Sequence, residues 1–197
     1  MPIQTFYGRY SFAPGETLDK ALFSAFKRRS YPANALLSSA YQPLERIFFI
    51  EQGILQAYYL DHNSDEITFA LAAESELIIL PQNLYGFENV PFYYLRALEP
   101  VTVFELNNAD LKILQQTFHE FALLSLQLAE DSIRQYEERA RMLHNPDPAY
   151  RYGWFLNRHK LLANRLQVRL IASYLGLSRF TLSRLRSRLS KTSISNG

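Results

Sequence analysis

Apolar positions near the start of the chain follow a helical spacing. They recur at intervals of three and four residues and therefore share one face of a helix, at Leu18, Leu22, Ala25 and Phe26. Pro14 and Gly15 interrupt regular structure just before this pattern. The spacing predicts a helix over residues 15–29.

From about residue 31 to residue 106 the pattern changes to short runs rich in aromatic and β-branched residues. Turn residues such as Gly53 and Pro100 separate these runs. The runs predict strands at Arg46–Ile50, Ile54–Leu60, Glu66–Leu71, Glu76–Leu80, Phe92–Ala97 and Val101–Leu106. Several short strands at such even spacing are typical of an antiparallel sandwich or barrel.

Helical spacing returns after this region. Asn107 or Asn108 can cap a short helix over Asp110–Gln116, and a longer helix is predicted over His119–Leu143. Two heptad series, offset by three residues, form an apolar seam on the long helix: Leu126, Ala129, Ile133, Tyr136, Ala140 and Leu143. We interpret this seam as the contact of a parallel dimer. The alternative is that it packs against the sheet of its own chain.

A break at Asn145–Pro148 coincides with a change of charge. Residues 148–197 contain ten Lys and Arg and no Asp or Glu, whereas residues 1–147 contain eleven Lys and Arg and all nineteen Asp and Glu. A basic segment on an acidic body indicates a polyanion-binding domain, although a solvated basic surface has the same composition. We therefore expect three parts: a sensor domain at 1–107, helices at 108–146 and a DNA-binding domain at 147–197.

Composition excludes several classes of site. The chain has no Cys, so disulfides, thiolate metal sites and cysteine nucleophiles are excluded. It shows neither an apolar run long enough to cross a membrane nor a leader pattern at its start. We expect a cytoplasmic protein with no membrane partner, no metal and no bound cofactor.

The most specific motif lies between Val168 and Arg186, after a helix predicted near Ala149–Arg165. Two helices that cross at a steep angle need a small residue at the crossing, which Ala172 supplies, and a turn residue that accepts positive φ, which Gly176 supplies. Ser178 can cap the second helix. The inward positions are all aliphatic: Ile171, Leu175, Leu177, Leu182, Leu185 and Leu189. Together these features predict a helix-turn-helix.

The second of these helices has an arginine-rich outer face that suits the major groove. Arginine reads guanine with two parallel hydrogen bonds, so we expect base contacts from Arg179 and Arg184. Phe180 and Ser183 lie on the same outer face and are expected to contact bases as well. We expect phosphate contacts from Arg169, Ser178, Thr181 and Arg188. Two interpretations of Phe180 stay open: contact with a thymine methyl group, or packing against the preceding helix.

These residues, in this order, resemble the Crp/Fnr family of bacterial transcription regulators. Phe48–Leu55 and Glu66–Phe69 resemble strands of its sensor domain, and Ile171–Arg184 resembles its helix-turn-helix. The resemblance implies an α+β fold: an N-terminal antiparallel β-roll like a cyclic-nucleotide-binding domain, a long dimerisation helix and a C-terminal helix-turn-helix domain. It also implies that Arg179, Phe180 and Arg184 contact bases and that Arg169, Ser178 and Thr181 lie against phosphate.

The chain departs from the family at the nucleotide cassette. Pro91-Phe92 stands where nucleotide-binding members carry Arg followed by Ser or Thr, and Ile79-Leu80-Pro81 stands near their Phe-Gly-Glu. A cyclic phosphate would lose its water without gaining a cationic partner, so we expect no control by cyclic nucleotide. The short sequence after the recognition helix predicts a reduced or absent wing. Four histidines leave a haem ligand open, although surface positions are favoured: His62, His119, His144 and His159.

We therefore expect a non-enzymatic, homodimeric, sequence-specific regulator that binds double-stranded DNA at a near-palindromic operator. RNA polymerase is a further candidate partner, and the effector is unknown. The alternative from another class is a cupin-like β-barrel protein, an enzyme or a ligand-binding protein, with an accessory helical domain. Cupin catalysis needs several metal ligands close together, and His62 is the single histidine of the β-rich region.

Overall fold

A computed structural model of the chain describes residues 7, 8, 10–39, 45–79 and 93–195, and for residues 190–195 it describes the backbone alone. Helix α1 spans Glu16–Ala25. Eight strands follow in the described residues: β1 (Lys27–Tyr31), β2 (Leu36–Ser38), β3 (Arg46–Gln52), β4 (Leu55–Leu60), β5 (Glu66–Ala72), β6 (Leu77–Ile78), β7 (Tyr94–Ala97) and β8 (Val101–Asn107). Five helices complete the described chain: α2 (Asn108–Thr117), α3 (His119–His144), α4 (Pro148–Arg158), α5 (Val168–Leu175) and α6 (Arg179–Ser195).

The strands form two four-stranded antiparallel sheets. The first has the order β1-β8-β3-β6 and the second the order β2-β7-β4-β5. Strand β3 is apolar on both faces: Phe48 and Ile50 pack into the interior between the sheets, while Ile47 and Phe49 pack beneath the helices. A strand covered on both faces has a continuous apolar run instead of an alternating one, as Ile47–Ile50 does. The antiparallel β-roll is therefore as predicted.

The turn between β3 and β4 requires glycine. Gly53 has φ +96°, and a Cβ atom there would lie 2.7 Å from the carbonyl oxygen of Pro100. Its N–H donates to Glu74 Oε1 at 2.9 Å, which ties the turn to the loop after β5. The turn predicted at this glycine is confirmed.

Helices α1, α2 and α3 cover the outer face of the first sheet. Leu22 of α1, Leu111 of α2 and Phe121 of α3 share one apolar cluster with the outer residues of β3 and β8. Asn107 caps α2, since its side chain accepts a hydrogen bond from the Asp110 N–H at 2.7 Å. The predicted cap and the two predicted helices are confirmed, each to within two residues at either end.

The last three helices form a small domain whose core is continuous with the roll. Asp147 caps α4, and Pro148 occupies its first turn, where a missing N–H costs nothing. A third apolar cluster joins Phe155 and Ile171 of this domain to Ile54 and Leu71 of the roll. The two halves of the chain therefore share buried surface. None of the described helices is both long enough and apolar enough to cross a membrane.

Two sequence predictions about helix bounds are wrong, and so is one predicted inward position. The first helix ends at Ala25 instead of residue 29, because Lys27–Tyr31 pairs with β8 as an edge strand. Helix α4 ends at Arg158, and the chain continues through turns in which Leu162 and Leu166 are buried. Leu189 is 49% exposed, because the part of α6 that packs on the domain core ends at Leu185.

Candidate nucleic-acid interface

The helix-turn-helix is formed by α5, a three-residue turn and α6. Gly176 ends α5 in the left-handed conformation, with φ 61° and ψ 38°, as the motif requires. The Leu177 N–H then donates to the carbonyl oxygen of Ala172 at 2.9 Å. Ser178 caps α6, since its Oγ accepts from the Thr181 N–H at 3.1 Å. The predicted positive φ and the predicted cap are confirmed.

The inner side of the motif is apolar. Ile171, Leu175 and Leu182 are fully buried, and Ala172 lies at the crossing with 2% of its surface exposed. Leu177 and Leu185 are half-buried against the same cluster. Five of the six inward positions predicted from the sequence are therefore turned inward, Leu189 being the exception. This core holds α6 with a defined face toward solvent.

The outer face of α6 presents the residues predicted to read bases. Arg179, Ser183 and Arg184 are exposed, and Phe180 is 80% exposed. That exposure excludes packing of Phe180 against α5, which was one of its two interpretations. The ring is therefore accessible to a partner that approaches the outer face of α6.

The residues predicted to contact phosphate lie around this face. Arg169 is exposed in the first turn of α5, and Arg188 is exposed in the third turn of α6. Ser178 and Thr181 lie together at the N-terminus of α6, where their hydroxyl oxygens are 2.9 Å apart. A helix N-terminus with hydroxyl groups and a nearby arginine favours an anion such as a phosphate.

Two of the basic residues serve the protein's own structure. Arg151 of α4 donates from Nε to the carbonyl oxygen of Asn145 at 2.7 Å and from Nη1 to those of Leu175 and Gly176 at 3.2 and 3.1 Å. It thereby satisfies carbonyl groups at the end of α5 and ties the turn to the segment after α3. Charge counting did not identify this role.

The second structural arginine joins the two halves of the chain. Arg165 binds both carboxylate oxygens of Glu74 at 2.8 Å and also binds Glu99. The hydrogen bonds from Arg165 hold the pKa of Glu74 down at about 2. This contact could not be predicted from local spacing, because Glu74 and Glu99 lie 91 and 66 residues away from Arg165 along the chain.

Helix α5 also bonds directly to strand β5. Ser173 Oγ donates to the carbonyl oxygen of Glu66 at 2.8 Å and accepts from the Thr68 N–H at 2.9 Å. Arg139 of α3 donates to the carbonyl oxygens of Thr68 and Tyr174 at 3.1 and 3.0 Å. The helix-turn-helix is thus docked on the roll through α5, while the outer face of α6 remains exposed.

The seam predicted on α3 is largely uncovered in the single chain. Leu126 is 57% exposed, Ile133 is 67% exposed, and Tyr136 and Ala140 are exposed as well. The helix faces its own sheet with other residues, chiefly Phe121 and Leu124. Ala129 is half-buried, and Leu143 packs partly against the helix-turn-helix core. Most of the seam therefore does not pack on its own sheet in the single chain, and the dimer contact stays a prediction.

His159 is buried instead of lying at the surface, where the isolated histidines were expected. It lies among Trp154, Phe155 and Tyr174, with its Nε2 3.3 Å from the Tyr174 hydroxyl. Burial lowers its pKa to about 4, with the neighbouring Arg158 charge adding to the effect. Among the described residues, no three His, Asp or Glu side chains lie close enough to hold a metal ion.

The predicted departures from the nucleotide cassette fall mostly outside the described residues. Leu80, Pro81, Pro91 and Phe92 are not among the residues that the structure describes. In the part of the chain that the structure describes, no strand comes after α6, and the reduced or absent wing stays a prediction. The expected absence of control by cyclic nucleotide therefore stays a prediction.

Together these features define a β-roll joined by a long helix to a docked helix-turn-helix domain. The fold is that of Crp/Fnr-type regulators. Solved structures of such regulators are similar to this chain over most of their length. FixK2 from Bradyrhizobium japonicum matches with a TM-score of 0.71 at 19% identity, over 86% of this chain and 86% of that one. A regulator from Eubacterium rectale assigned to the Crp/Fnr family has a TM-score of 0.70 at 12% identity, over 91% and 85%.

A third similar structure is a CooA mutant from Carboxydothermus hydrogenoformans. Its TM-score is 0.68 at 18% identity, over 94% of this chain and 84% of that one. Neither a protein-family model nor a curated protein sequence matches the chain. The resemblance noted in the sequence is therefore confirmed at the level of the fold.

Proposed function

We propose that this protein is a homodimeric transcription regulator of Crp/Fnr type that binds specific double-stranded DNA in the cytoplasm and has no enzymatic activity. The observation that carries the proposal is the outer face of α6. Phe180, Ser183 and Arg184 stand in solvent above a fully buried apolar platform. A helix held in this way can enter the major groove and present its side chains to base edges.

Within this proposal the bases are read by Arg179, Phe180, Ser183 and Arg184, with Phe180 against a thymine methyl group. Register on the duplex comes from phosphate contacts by Arg169, Ser178, Thr181 and Arg188. The three-part division of the chain, with boundaries at residues 107 and 146, belongs to the same proposal. RNA polymerase is the proposed protein partner on DNA.

The dimer is supported by the uncovered seam on α3. An exposed Ile133 beside an exposed Leu126 on a helix of 26 residues is unusual unless another surface covers them. A two-fold dimer presents its two recognition helices about 34 Å apart, which matches half-sites one helical turn apart in a near-palindromic operator.

The testing experiment selects bound fragments from genomic DNA and then measures their affinity by fluorescence anisotropy. Arg184→Ala is expected to weaken the selected site by about 10- to 100-fold and to relax its sequence preference, since a bidentate guanine contact discriminates by about 1–3 kcal/mol. Lys160→Ala removes one charge from an exposed turn of the same domain and is the matched control. Equal losses for Arg184→Ala on selected and on random DNA would contradict base reading.

Independence from cyclic nucleotide is tested on the same protein by calorimetry. Cyclic AMP and cyclic GMP are each expected to give no heat of binding up to millimolar concentration. A clear binding isotherm for either nucleotide would overturn this part of the proposal.

A further inference from the structure

An apolar cavity of about 240 Å³ lies between the first sheet and the helices that cover it. Its floor is formed by Ile47 and Phe49 of β3, and its roof by Leu124 and Leu128 of α3. Helices α1 and α2 close its sides. It lies on the face of β3 opposite the interior of the roll, which is filled by the second apolar cluster.

The described lining of this cavity carries no charge. No Lys, Arg, His, Asp or Glu side chain is among the described residues around it. The other two large clefts in the described part of the chain differ, because Glu76 and Arg139 line one of them and Glu66 and Arg96 line the other. A phosphate or carboxylate entering the apolar cavity would lose its water and meet no cation.

The hydroxyl groups of the two serines in the lining already donate hydrogen bonds to backbone carbonyl groups of α3. Ser125 Oγ donates to the carbonyl oxygen of Phe121 at 2.8 Å, and Ser132 Oγ donates to that of Leu128 at 2.8 Å. Both serines therefore direct their hydrogen atoms back into α3. Gln115 and the Tyr136 phenol remain as polar groups for a single hydrogen bond to an occupant, and the partial burial of Tyr136 beside the cavity raises its pKa.

We propose that this cavity is a binding site for a small, neutral, largely apolar molecule, of the size of a two-ring aromatic. Size supports this class, because an apolar cavity of about 150 Å³ in another protein stays dry and binds benzene. The cavity here is larger than that one, which leaves room for a second ring. Its uncharged walls favour neutral compounds over anionic ones of the same shape.

The position of the cavity couples its occupant to the α3 seam. Ala129, Ile133 and Tyr136 belong to the seam and also line the cavity. An occupant therefore fixes the side of α3 that a second copy of the chain would contact. This coupling rests on the proposed dimer, whereas binding of the molecule itself does not.

The experiment titrates the full chain, without DNA, with naphthalene and with its anionic counterpart 2-naphthoate. Binding is followed by NMR through contacts between naphthalene protons and the methyl groups of Leu124 and Leu128. Naphthalene is expected to bind with micromolar affinity and 2-naphthoate at least tenfold more weakly. Failure of naphthalene to bind, or equal affinity for the two probes, would overturn the proposal.

Ser125→Leu fills the cavity and is expected to weaken naphthalene binding at least tenfold. Gln127→Leu adds an apolar side chain at an exposed position two residues along the same helix and is the matched control. Unchanged binding by Ser125→Leu would place the probe elsewhere and refute the site. Should that variant fail to fold, the contacts to Leu124 and Leu128 in the unmodified chain decide alone.

These measurements are independent of the proposed regulator function. A chain that binds naphthalene but no DNA would keep this inference and remove the other. A chain that binds DNA but no naphthalene would keep the proposed regulator function and remove the proposed binding site.

Discussion

The β-roll and the helix-turn-helix domain place their charges differently where they meet. The roll contributes Glu74 and Glu99 to the contact, and the other domain contributes Arg165, which is held between them. On the far side of the same domain, Arg184 stands in solvent. Two arginines from one basic segment thus have opposite uses: one joins the protein to itself, and the other is available to a partner.

This difference teaches that net charge marks a domain but does not identify its binding surface. The basic count of residues 148–197 includes Arg151 and Arg165, whose guanidinium groups are engaged within the chain. What separates Arg184 from them is the face of the helix it occupies. The predictions below test how strongly the two halves depend on each other, from the largest effect to the smallest.

The largest effect is expected from Ile171→Ala, in the core that the two halves share. Deleting most of a fully buried isoleucine side chain costs about 2–5 kcal/mol of unfolding free energy. Unfolding is measured in urea by circular dichroism and by the fluorescence of Trp154, the one tryptophan of the chain. Because the core cluster is continuous, the two signals should change together. Separate transitions would show that the halves unfold independently. The control Ser183→Ala lies at an exposed site and should leave both unfolding signals unchanged.

The second effect is a pH dependence that originates in the helix-turn-helix half. His159 has a pKa of about 4 in the folded chain against an ordinary value of 6.5, so the unfolded chain takes up its proton first as pH falls. The contribution of His159 should therefore lower stability by about 3 kcal/mol between pH 6.5 and pH 4 and should stay constant below pH 4. His159→Gln should remove that slope in urea titrations at successive pH values. An unchanged slope in the variant would assign it to another group.

The smallest effect concerns the ion pair that joins the halves. Glu74 has a pKa of about 2 against an ordinary value of 4.5, so its stabilisation is present above pH 4.5 and is lost as pH falls toward 2. Both side chains are about one-third exposed, which limits the coupling energy to about 1 kcal/mol or less. A double-mutant cycle of Glu74→Gln and Arg165→Gln measures it at pH 7. Zero coupling would show that the two charges stabilise the contact no more than their neutral replacements do.

Much of the helix-turn-helix could be predicted from sequence because its determinants lie within a few residues of one another. The positive φ of Gly176, the cap at Ser178 and the inward spacing of Ile171 and Leu175 each depend on local geometry. The same holds for the Asn107 cap. The exposed face of α6 could be predicted as well, because the helical period that places one set of residues in the core places the others on the opposite, solvent-facing side.

The failures occurred where a distant partner decides the conformation. Lys27–Tyr31 continues a helical pattern, yet it forms a strand because β8, more than seventy residues later, offers its edge. The spacing of Phe155, Leu162 and Leu166 imitates a helix that in fact ends at Arg158. His159 is polar and has no local signal of burial, but three aromatic rings enclose it.

The sequence by itself therefore determined the order of the elements from β3 onward, the recognition helix and the side of that helix that faces solvent, because short-range spacing and turn chemistry are sufficient for these. Only the tertiary structure decided which arginines form hydrogen bonds and ion pairs within the protein, how α5 docks on β5 and where the uncharged cavity lies. Those features depend on side chains that are far apart along the chain and meet only when the sheets and helices have packed.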